Sequence, residues 1–221
     1  MIPVIGVTGK SGTGKTELLT KIIKELKSRG HKVAAVKHTM HQVDIDREGK
    51  DSYRMFRAGS EAVGLASLSR LAVYMETDEQ WDPRDIAVKF FPRVDIVLVE
   101  GFKDAPLPRI GIARQGVTEQ MPDRKGLIGL VTDMETDMDV PRFGFDDVSG
   151  IVDLLEKYIT RKSPQRDVSL FVNGKKVIIK PFIKDLFLKT VSAMVDSLKG
   201  TQNALRIEVV IDEPKGTSEE E

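Results

Sequence analysis

Residues 3–16 read PVIGVTGKSGTGKT, an apolar run followed by a glycine-rich turn. The apolar part, Pro3 to Val7, has the length and composition of a buried parallel β-strand. From Glu17 to Ser28, apolar residues recur at the helical period, and Gly30 follows as a stop signal. The turn between them, Gly9 to Thr16, matches the pattern G-x-x-x-x-G-K-[S/T] in full. This order of strand, loop and helix is that of P-loop nucleotide-binding proteins.

The residue types in the loop suit a purine nucleoside triphosphate and Mg²⁺. Glycines let the backbone amides turn inward around the β-phosphate. We expect Lys15 to reach the β- and γ-phosphates as the catalytic cation and the Thr16 hydroxyl to coordinate Mg²⁺, while the following helix directs its positive end at the phosphates. The predicted nucleotide-binding residues of the loop are Gly9, Lys10, Ser11, Gly12, Thr13, Gly14, Lys15, Thr16 and Glu17.

A carboxylate is expected beside the magnesium ion, at the carboxyl end of a neighbouring strand. The segment VDIVLVEGF at residues 94–102 offers Asp95 and Glu100. Because a strand rises about 3.3 Å per residue, the two lie on the order of 16 Å apart, which leaves Asp95 at the wrong end of the sheet. We therefore predict that Glu100 positions the metal or a water molecule. A helix-start or surface glutamate is the alternative interpretation.

Strand and helix patterns alternate along the first 160 residues, which predicts an α/β P-loop fold with a mostly parallel sheet and helices on both faces. The predicted strands are 3–7, 32–37, 94–99, 109–114 and 126–132, a further strand pair is 62–66 and 71–75, and the predicted helices are 17–28, 83–91 and 146–159. Residues 38–59 are expected to be irregular.

The pattern changes after residue 160, and a second domain is predicted. Residues 1–160 form the nucleotide-binding domain, 161–167 a linker, 168–213 a small ββαβ domain and 214–221 a disordered acidic tail. Asn173-Gly174 is a strong hairpin signal, Pro181 begins the helix, and 205–211 is the last strand. So small a unit cannot enclose a large core of its own.

Bulk composition narrows the function classes. The 34 basic and 34 acidic residues cancel, which leaves no net field to attract nucleic acid or an anionic membrane. The absence of cysteine excludes disulfides, thiolate zinc sites and cysteine nucleophiles. No apolar run reaches the roughly 18 residues that a membrane span needs. A cytoplasmic location is the default expectation.

The polar segment from His38 to Ser60 begins where the second strand ends, at the ligand edge of the sheet. One hypothesis is a transition-metal site made of His38, His41, Asp44 and Asp46. A second is a segment that closes over a phosphate-bearing ligand or docks a cofactor or partner, and a third is a solvated surface loop. The candidate residues of the segment are His38, Thr39, His41, Asp46, Lys50, Asp51 and Arg54.

The nucleotide base is not identified by a local motif, because neither N-K-x-D nor T-K-x-D occurs. Asp133 ends a late strand and is a candidate for contact with the base, although a turn or capping role fits it equally well. The residues alone therefore leave GTP and ATP both open.

Three segments together give the chain a family resemblance: GKSGTGKTELLTKII, VKHTMHQVDIDREGKDSYRMFRAG and DIVLVEGFK. Over about the first 160 residues the chain resembles the molybdopterin-guanine dinucleotide biosynthesis protein B family. The resemblance implies a GTP-binding homodimer with weak GTPase activity, and it carries binding roles to Gly12, Gly14, Lys15, Thr16 and Glu100. It also implies a partner, the guanylyltransferase that attaches GMP to the molybdenum cofactor. The appended domain could instead direct the protein to a molybdenum or tungsten enzyme.

Three functions remain open at this point. The first is a weak GTPase that assists molybdenum cofactor maturation. The second is a nucleotide-gated adapter, which delivers molybdopterin or the finished cofactor and in which hydrolysis is incidental. The third is a P-loop kinase that acts on a small molecule.

Overall fold

The computed structural model describes residues 2–39, 46–78, 80–160, 167–201, 204 and 206–211. The chain divides into two compact units, Met1–Ser163 and Pro164–Glu221. The elements, in chain order, are β1 (Val4–Gly9), α1 (Lys15–Ser28), β2 (Val33–Lys37), α2 (Asp51–Arg57), β3 (Ala62–Ala66), β4 (Leu71–Met75), α3 (Pro83–Phe90), β5 (Ile96–Glu100), β6 (Arg109–Ala113), β7 (Leu127–Thr132), β8 (Arg142–Phe143), α4 (Val148–Thr160), β9 (Leu170–Val172), β10 (Lys175–Val177) and α5 (Pro181–Asp196).

The first unit is built on a six-stranded sheet with the strand order β2-β5-β1-β6-β7-β8. All five pairings in this sheet are parallel. The chain leaves β1 toward β2 on one side, whereas β6 and β7 lie on the other side. In parallel α/β sheets such a change of direction beside a central strand leaves a ligand crevice at the carboxyl ends of the strands.

Alternate residues of β1 and β5 point into two separate cores, one on each face of the sheet. On one face, Ile5, Ile96 and Leu98 are almost fully buried with Ile22 of α1 and Ile151 of α4. The other face buries Val4, Val97, Val99 and Phe102 beside Ala87 of α3. Continuous apolar strands buried on both faces are what a parallel sheet requires. The predicted α/β fold with helices on both faces is therefore confirmed.

The start of α3 shows how local sequence sets an element. Asp82 lies just before the helix, and its carboxylate accepts a hydrogen bond of 2.7 Å from the backbone N–H of Arg84. Pro83 fills the first turn, where a missing N–H costs nothing. The predicted helix start at this Asp-Pro pair is confirmed.

The predicted strand pair at 62–66 and 71–75 is also confirmed, as an antiparallel hairpin of β3 and β4. Val63 and Tyr74 are paired across it and buried, and the Tyr74 ring meets the Phe56 ring of α2 at a centroid distance of 5.1 Å. The expectation of an irregular stretch over 38–59 was wrong for residues 51–57, which form α2. This seven-residue helix carries mostly polar residues, and its apolar side is stabilised by the hairpin, which no local pattern indicates.

The structure differs from the sequence prediction at two further places, the short strand β8 and the residues near the C-terminus. The short strand β8 was not predicted, because its two residues carry no periodicity and are defined only by their pairing with β7. In the second unit, β9 and β10 pair around Asn173-Gly174, whose φ angles of 50° and 79° suit the predicted tight hairpin. The predicted strand over 205–211 was wrong for its described residues, 206–211, which lie outside any strand. Its alternating pattern suits a strand, but a strand forms only where a neighbour takes its backbone hydrogen bonds.

The second unit exposes much of its apolar surface. Helix α5 begins at Pro181 as predicted, yet none of its residues is buried. Phe182, Leu186 and Met194 are each more than half exposed. Among the described residues, no helix has the length and apolarity that a membrane crossing demands.

Candidate functional site

The glycine-rich loop lies at the carboxyl end of β1, between the ends of β5 and β6. Gly12 and Gly14 adopt φ angles of 82° and 91°, a left-handed conformation that strains other residues. A Cβ on Gly9 would lie 2.6 Å from the carbonyl oxygen of Ile112, so the loop passes too close to β6 for a larger residue. Thr13 is fully buried and donates its hydroxyl to the Lys10 carbonyl at 2.9 Å, inside the loop. The glycines and the Thr13 side chain therefore set the conformation of the loop, and the Thr13 side chain is not placed to contact a ligand.

Lys15 spans the loop from within. Its ammonium donates to the carbonyl oxygens of Gly9 at 3.0 Å and Lys10 at 2.8 Å. Burial lowers the pKa of Lys15 below its ordinary value of 10.5; the Glu100 carboxylate opposes this effect, and the positive charges of Lys103 and Lys37 reinforce it. A cation held among other cations and loop carbonyls is well placed to exchange those carbonyls for phosphate oxygens.

Thr16 and Glu100 are brought together. The Thr16 hydroxyl donates to Glu100 Oε2 at 2.8 Å, although 84 residues separate the two in sequence. Glu100 is the last residue of β5, and its Cα is paired with Val7 near the end of β1. A hydroxyl and a carboxylate oxygen at the rim of the glycine-rich loop are atoms of the kind that a hard cation such as Mg²⁺ prefers. Asp95 lies at the opposite end of the strand and accepts a hydrogen bond of 2.7 Å from the Lys32 backbone N–H.

The side chains of three other predicted loop residues do not contact the Thr16–Glu100 pair in the described structure. The Lys10 ammonium forms an ion pair of 2.6 Å with Glu119, in the connection between β6 and β7. Glu17 lies 3.5 Å from the Lys21 ammonium one turn along α1. Ser11 is exposed to solvent. Lys10 is therefore engaged with the protein in this conformation, and only its backbone is at the loop.

The chain turns sharply directly after Glu100, and this turn contacts His38, the first residue of the 38–60 segment. Gly101 and Phe102 have φ angles of 93° and 50°, both left-handed. A Cβ on Gly101 would lie 2.9 Å from both the Cβ and the carbonyl oxygen of His38. The His38 backbone N–H donates to the Glu100 carbonyl at 2.8 Å, and its ring lies 4.5 Å from the Phe102 ring. Glu100, the candidate for magnesium binding, is thus in direct contact with His38, where the 38–60 segment begins.

Asp46, another candidate residue of the 38–60 segment, is hydrogen-bonded within the protein. Asp46 accepts hydrogen bonds from the Tyr74 hydroxyl at 3.0 Å and the Arg47 backbone N–H at 2.8 Å. Hydrogen bonding, first from Ser52 and then from Arg47, holds the pKa of Asp46 below its ordinary value. The Asp46 carboxylate therefore fastens α2 to the hairpin and is already hydrogen-bonded within the protein.

The other candidates of this segment lie on the surface. Lys50 precedes α2 and is exposed, and Asp51 and Arg54 form a long ion pair of 4.0 Å on that helix. Thr39 is exposed at the end of the described stretch. His41 and Asp44, which the metal hypothesis needs, lie outside the described residues. Within the described ranges, no group of three or more His, Cys, Asp or Glu side chains is placed to hold a metal ion.

Asp133 braces two loops at the same edge of the sheet. Its carboxylate accepts the Gln115 backbone N–H at 2.8 Å, which ties the end of β7 to the end of β6. The side chain is exposed, and this hydrogen bond is the turn role that the sequence left open beside base contact. Sequence reasoning missed Arg114, whose guanidinium lies between the loop glycine Gly14 and the Phe145 ring.

Comparison with known proteins gives consistent matches. The family model described as molybdopterin guanine dinucleotide synthesis protein B matches residues 4–133. The molybdopterin-guanine dinucleotide biosynthesis adapter protein of Haemophilus influenzae is 38% identical over 160 residues, which cover 72% of this chain and 90% of that protein. A putative adapter protein of the same description from Methanocaldococcus jannaschii is 28% identical over 241 residues, covering 96% of this chain and 98% of that protein. A crystal structure of molybdopterin-guanine biosynthesis protein B matches with a TM-score of 0.58 at 27% identity, covering 71% of this chain and 99% of that one.

Proposed function

This chain belongs to the molybdopterin guanine dinucleotide synthesis protein B family, and we propose that it is an adapter protein of molybdopterin guanine dinucleotide biosynthesis that binds GTP with Mg²⁺. The hydrogen bond of 2.8 Å between Thr16 and Glu100, at the rim of the glycine loop, is the observation that carries the nucleotide proposal. It gives a magnesium-bearing nucleotide one hydroxyl and one carboxylate on the side of the loop nearest β5. The proposed location is the cytoplasm.

Each residue has a defined task in this proposal. Backbone amides of Gly12 to Thr16 donate to the β-phosphate, and the Lys15 ammonium leaves the loop carbonyls to bind the β- and γ-phosphates. Thr16 and Glu100 would hold Mg²⁺, which, when bound, neutralises charge that develops on the phosphate oxygens. Glu100 can also orient a water molecule. Hydrolysis by the isolated protein is proposed to be slow, as it is in P-loop proteins that wait for a partner to complete the site.

A nucleotide-gated adapter role is the second candidate, and the contact of His38 with the Glu100–Phe102 turn favours it. A change at Glu100 on nucleotide binding reaches His38 directly, through the backbone hydrogen bond and the packed rings. The segment that starts at His38 could then dock a cofactor or the partner enzyme. In this version the occupied site matters and hydrolysis is incidental.

A homodimer is part of the proposal, and the open face of the β3–β4 hairpin supports it. One face of the hairpin is covered by α2, whereas the other carries only apolar residues and glycine. On that second face Leu71, Val73 and Met75 are 73%, 52% and 44% exposed. A sheet face of this kind is commonly buried in an interface. We expect Val73→Asp to convert a dimer into a monomer in sedimentation experiments, and a wild-type monomer would exclude the homodimer.

The test of the main proposal is a titration of GTP and ATP into the full chain, with Mg²⁺, with and without purified molybdopterin. GTP should bind in preference to ATP, and Lys15→Ala should abolish the binding. Equal affinity for both nucleotides would contradict the GTP assignment. Cofactor maturation in a reconstituted reaction with the guanylyltransferase should then be compared for wild type and Lys15→Ala. If maturation survives in the variant, nucleotide is not required and both versions of the proposal are wrong.

A further inference from the structure

Arg114 follows directly after β6, and its backbone is fixed by a closed turn. Its N–H donates to the Thr118 hydroxyl at 2.9 Å, and its carbonyl oxygen accepts from the N–H groups of Val117 and Thr118. The side chain is directed to the phosphate loop. An ideal Cβ on Gly14 would lie 3.4 Å from Arg114 Nη2, and the guanidinium carbon lies 4.1 Å from the centre of the Phe145 ring.

The guanidinium is partly buried, yet among the described residues it has no hydrogen-bond acceptor and no carboxylate within ion-pair distance. Other partly buried arginines of this unit are satisfied. Arg29 contacts Glu25 and Asp153, and Arg109 donates to carbonyl oxygens in the connection before β6. A planar cation with free N–H groups beside a phosphate loop is suited to bind a phosphate oxygen.

The position of Arg114 relative to Glu100 indicates which phosphate its guanidinium would bind. Thr16 and Glu100 lie on the β5 side of β1, where they would hold a magnesium ion at the γ-phosphate end of the nucleotide. Arg114 lies on the β6 side, over Gly14. The part of the ligand that extends away from the metal, toward β6, is the α-phosphate with its nucleoside.

We propose that Arg114 binds the α-phosphate of the nucleotide, held in place by Phe145, so that the nucleoside lies toward β6 and β7 and the γ-phosphate toward β5. This inference rests on the proposed binding of GTP. It adds a specific ligand residue outside the glycine loop.

The experiment compares two ligands on the full chain, GTP and inorganic pyrophosphate, each with Mg²⁺. Pyrophosphate has the two phosphates that the loop and metal need but no third phosphate or nucleoside. We expect Arg114→Gln to weaken GTP binding about tenfold, the effect of one charge-assisted hydrogen bond, while its pyrophosphate affinity changes less than about twofold. Arg114→Lys keeps the charge without the planar fork, and its GTP affinity should be intermediate. In ³¹P spectra of bound GDP, Arg114→Gln should shift the α resonance more than the β resonance.

Two controls separate the possible failures. Arg93→Gln removes an exposed arginine just before β5, at the opposite edge of the sheet, and should leave both affinities unchanged. Lys15→Ala should weaken both ligands. If wild type does not bind GTP, the proposed function fails. If wild type binds GTP but Arg114→Gln weakens neither ligand, or weakens both equally, only the α-phosphate assignment is overturned.

Discussion

Replacing Glu100 by glutamine isolates the magnesium part of nucleotide binding. The substitution keeps the size of the side chain and its ability to accept from Thr16 at the observed 2.8 Å, but it removes the negative charge. Loss of such a group beside a metal typically weakens metal binding by about 10–100-fold, equal to about 1.4–2.7 kcal/mol. We expect the gain in GTP affinity on addition of Mg²⁺ to fall by that factor.

Without the metal, the loss of GTP affinity in Glu100→Gln should disappear or become a gain. A carboxylate at the loop rim repels the phosphates when no cation lies between them, so GTP binding in EDTA should be unchanged or tighter in Glu100→Gln than in wild type. Calorimetric titration of GTP with Mg²⁺ and with EDTA measures both quantities in one series.

Asp95→Asn is the matched control. It removes a carboxylate that lies next to the same strand but at the amino end of β5, where Asp95 accepts a hydrogen bond from the Lys32 backbone N–H. Its magnesium-dependent gain should equal that of wild type. Were Glu100→Gln to weaken GTP binding equally with and without Mg²⁺, the assignment of Glu100 to the metal would be refuted.

Three further predictions address the loop, the turn and the helix contact. GTP affinity should fall as the pH rises toward 10.5, because burial lowers the pKa of Lys15 in the free protein and only the protonated amine binds phosphate; in Lys15→Arg the loss should be absent in the same titrations. Gly101→Ala should lower the free energy of unfolding by about 2–4 kcal/mol in urea titrations, because its φ is 93° and the new Cβ would lie 2.9 Å from two atoms of His38. The hydrogen bond with His31 holds the pKa of Glu156 below its ordinary value of 4.5. The ionised Glu156 carboxylate therefore stabilises the fold above pH 4.5, and this stabilisation disappears as the pH falls through the lowered pKa. Glu156→Gln should lower the melting temperature at pH 7 but not at pH 2.

Controls for these predictions are available in the chain. Gly30 has a φ of 88° with no atom within 4 Å of an added Cβ, so Gly30→Ala measures the cost of the conformation without the clash. An equal loss in both glycine variants would mean that the contact with His38 contributes nothing. For the pH series, a fall in affinity shared by wild type and Lys15→Arg would trace the effect to the nucleotide.

The phosphate loop and the sheet could be predicted because their signals are local. Strong apolar runs, a helical stripe and the complete glycine-lysine pattern each lie within about fifteen residues. The position of Glu100 at the carboxyl end of β5, beside Thr16, could be predicted by a geometric rule that needs only the direction of a parallel strand. The hairpin of β3 and β4 and the Asp82-Pro83 helix start rest on short patterns of the same local kind.

What the sequence did not indicate depends on pairs that are distant along the chain. Arg114 meets Gly14 and Phe145 only because β6 lies beside β1, and the strand order is not written in any single segment. Helix α2 forms against Tyr74 of the hairpin, and the described residues 206–211 form no strand because a strand also requires a partner edge. Asp46 illustrates the same limit, since its carboxylate is engaged by Tyr74, a residue 28 positions away.

The order of strands in the large sheet also affects how the protein is made. β1 is synthesised first, yet Val4 pairs with Val97 and Gly9 with Ile112, each about a hundred residues later. At ribosomal rates of roughly 5–20 residues per second, the apolar first strand waits on the order of 5–20 s for both neighbours. A nascent chain that stalls before β5 therefore has the complete glycine motif but neither neighbouring strand, and the backbone hydrogen-bonding groups of β1 lack their native partners during this interval.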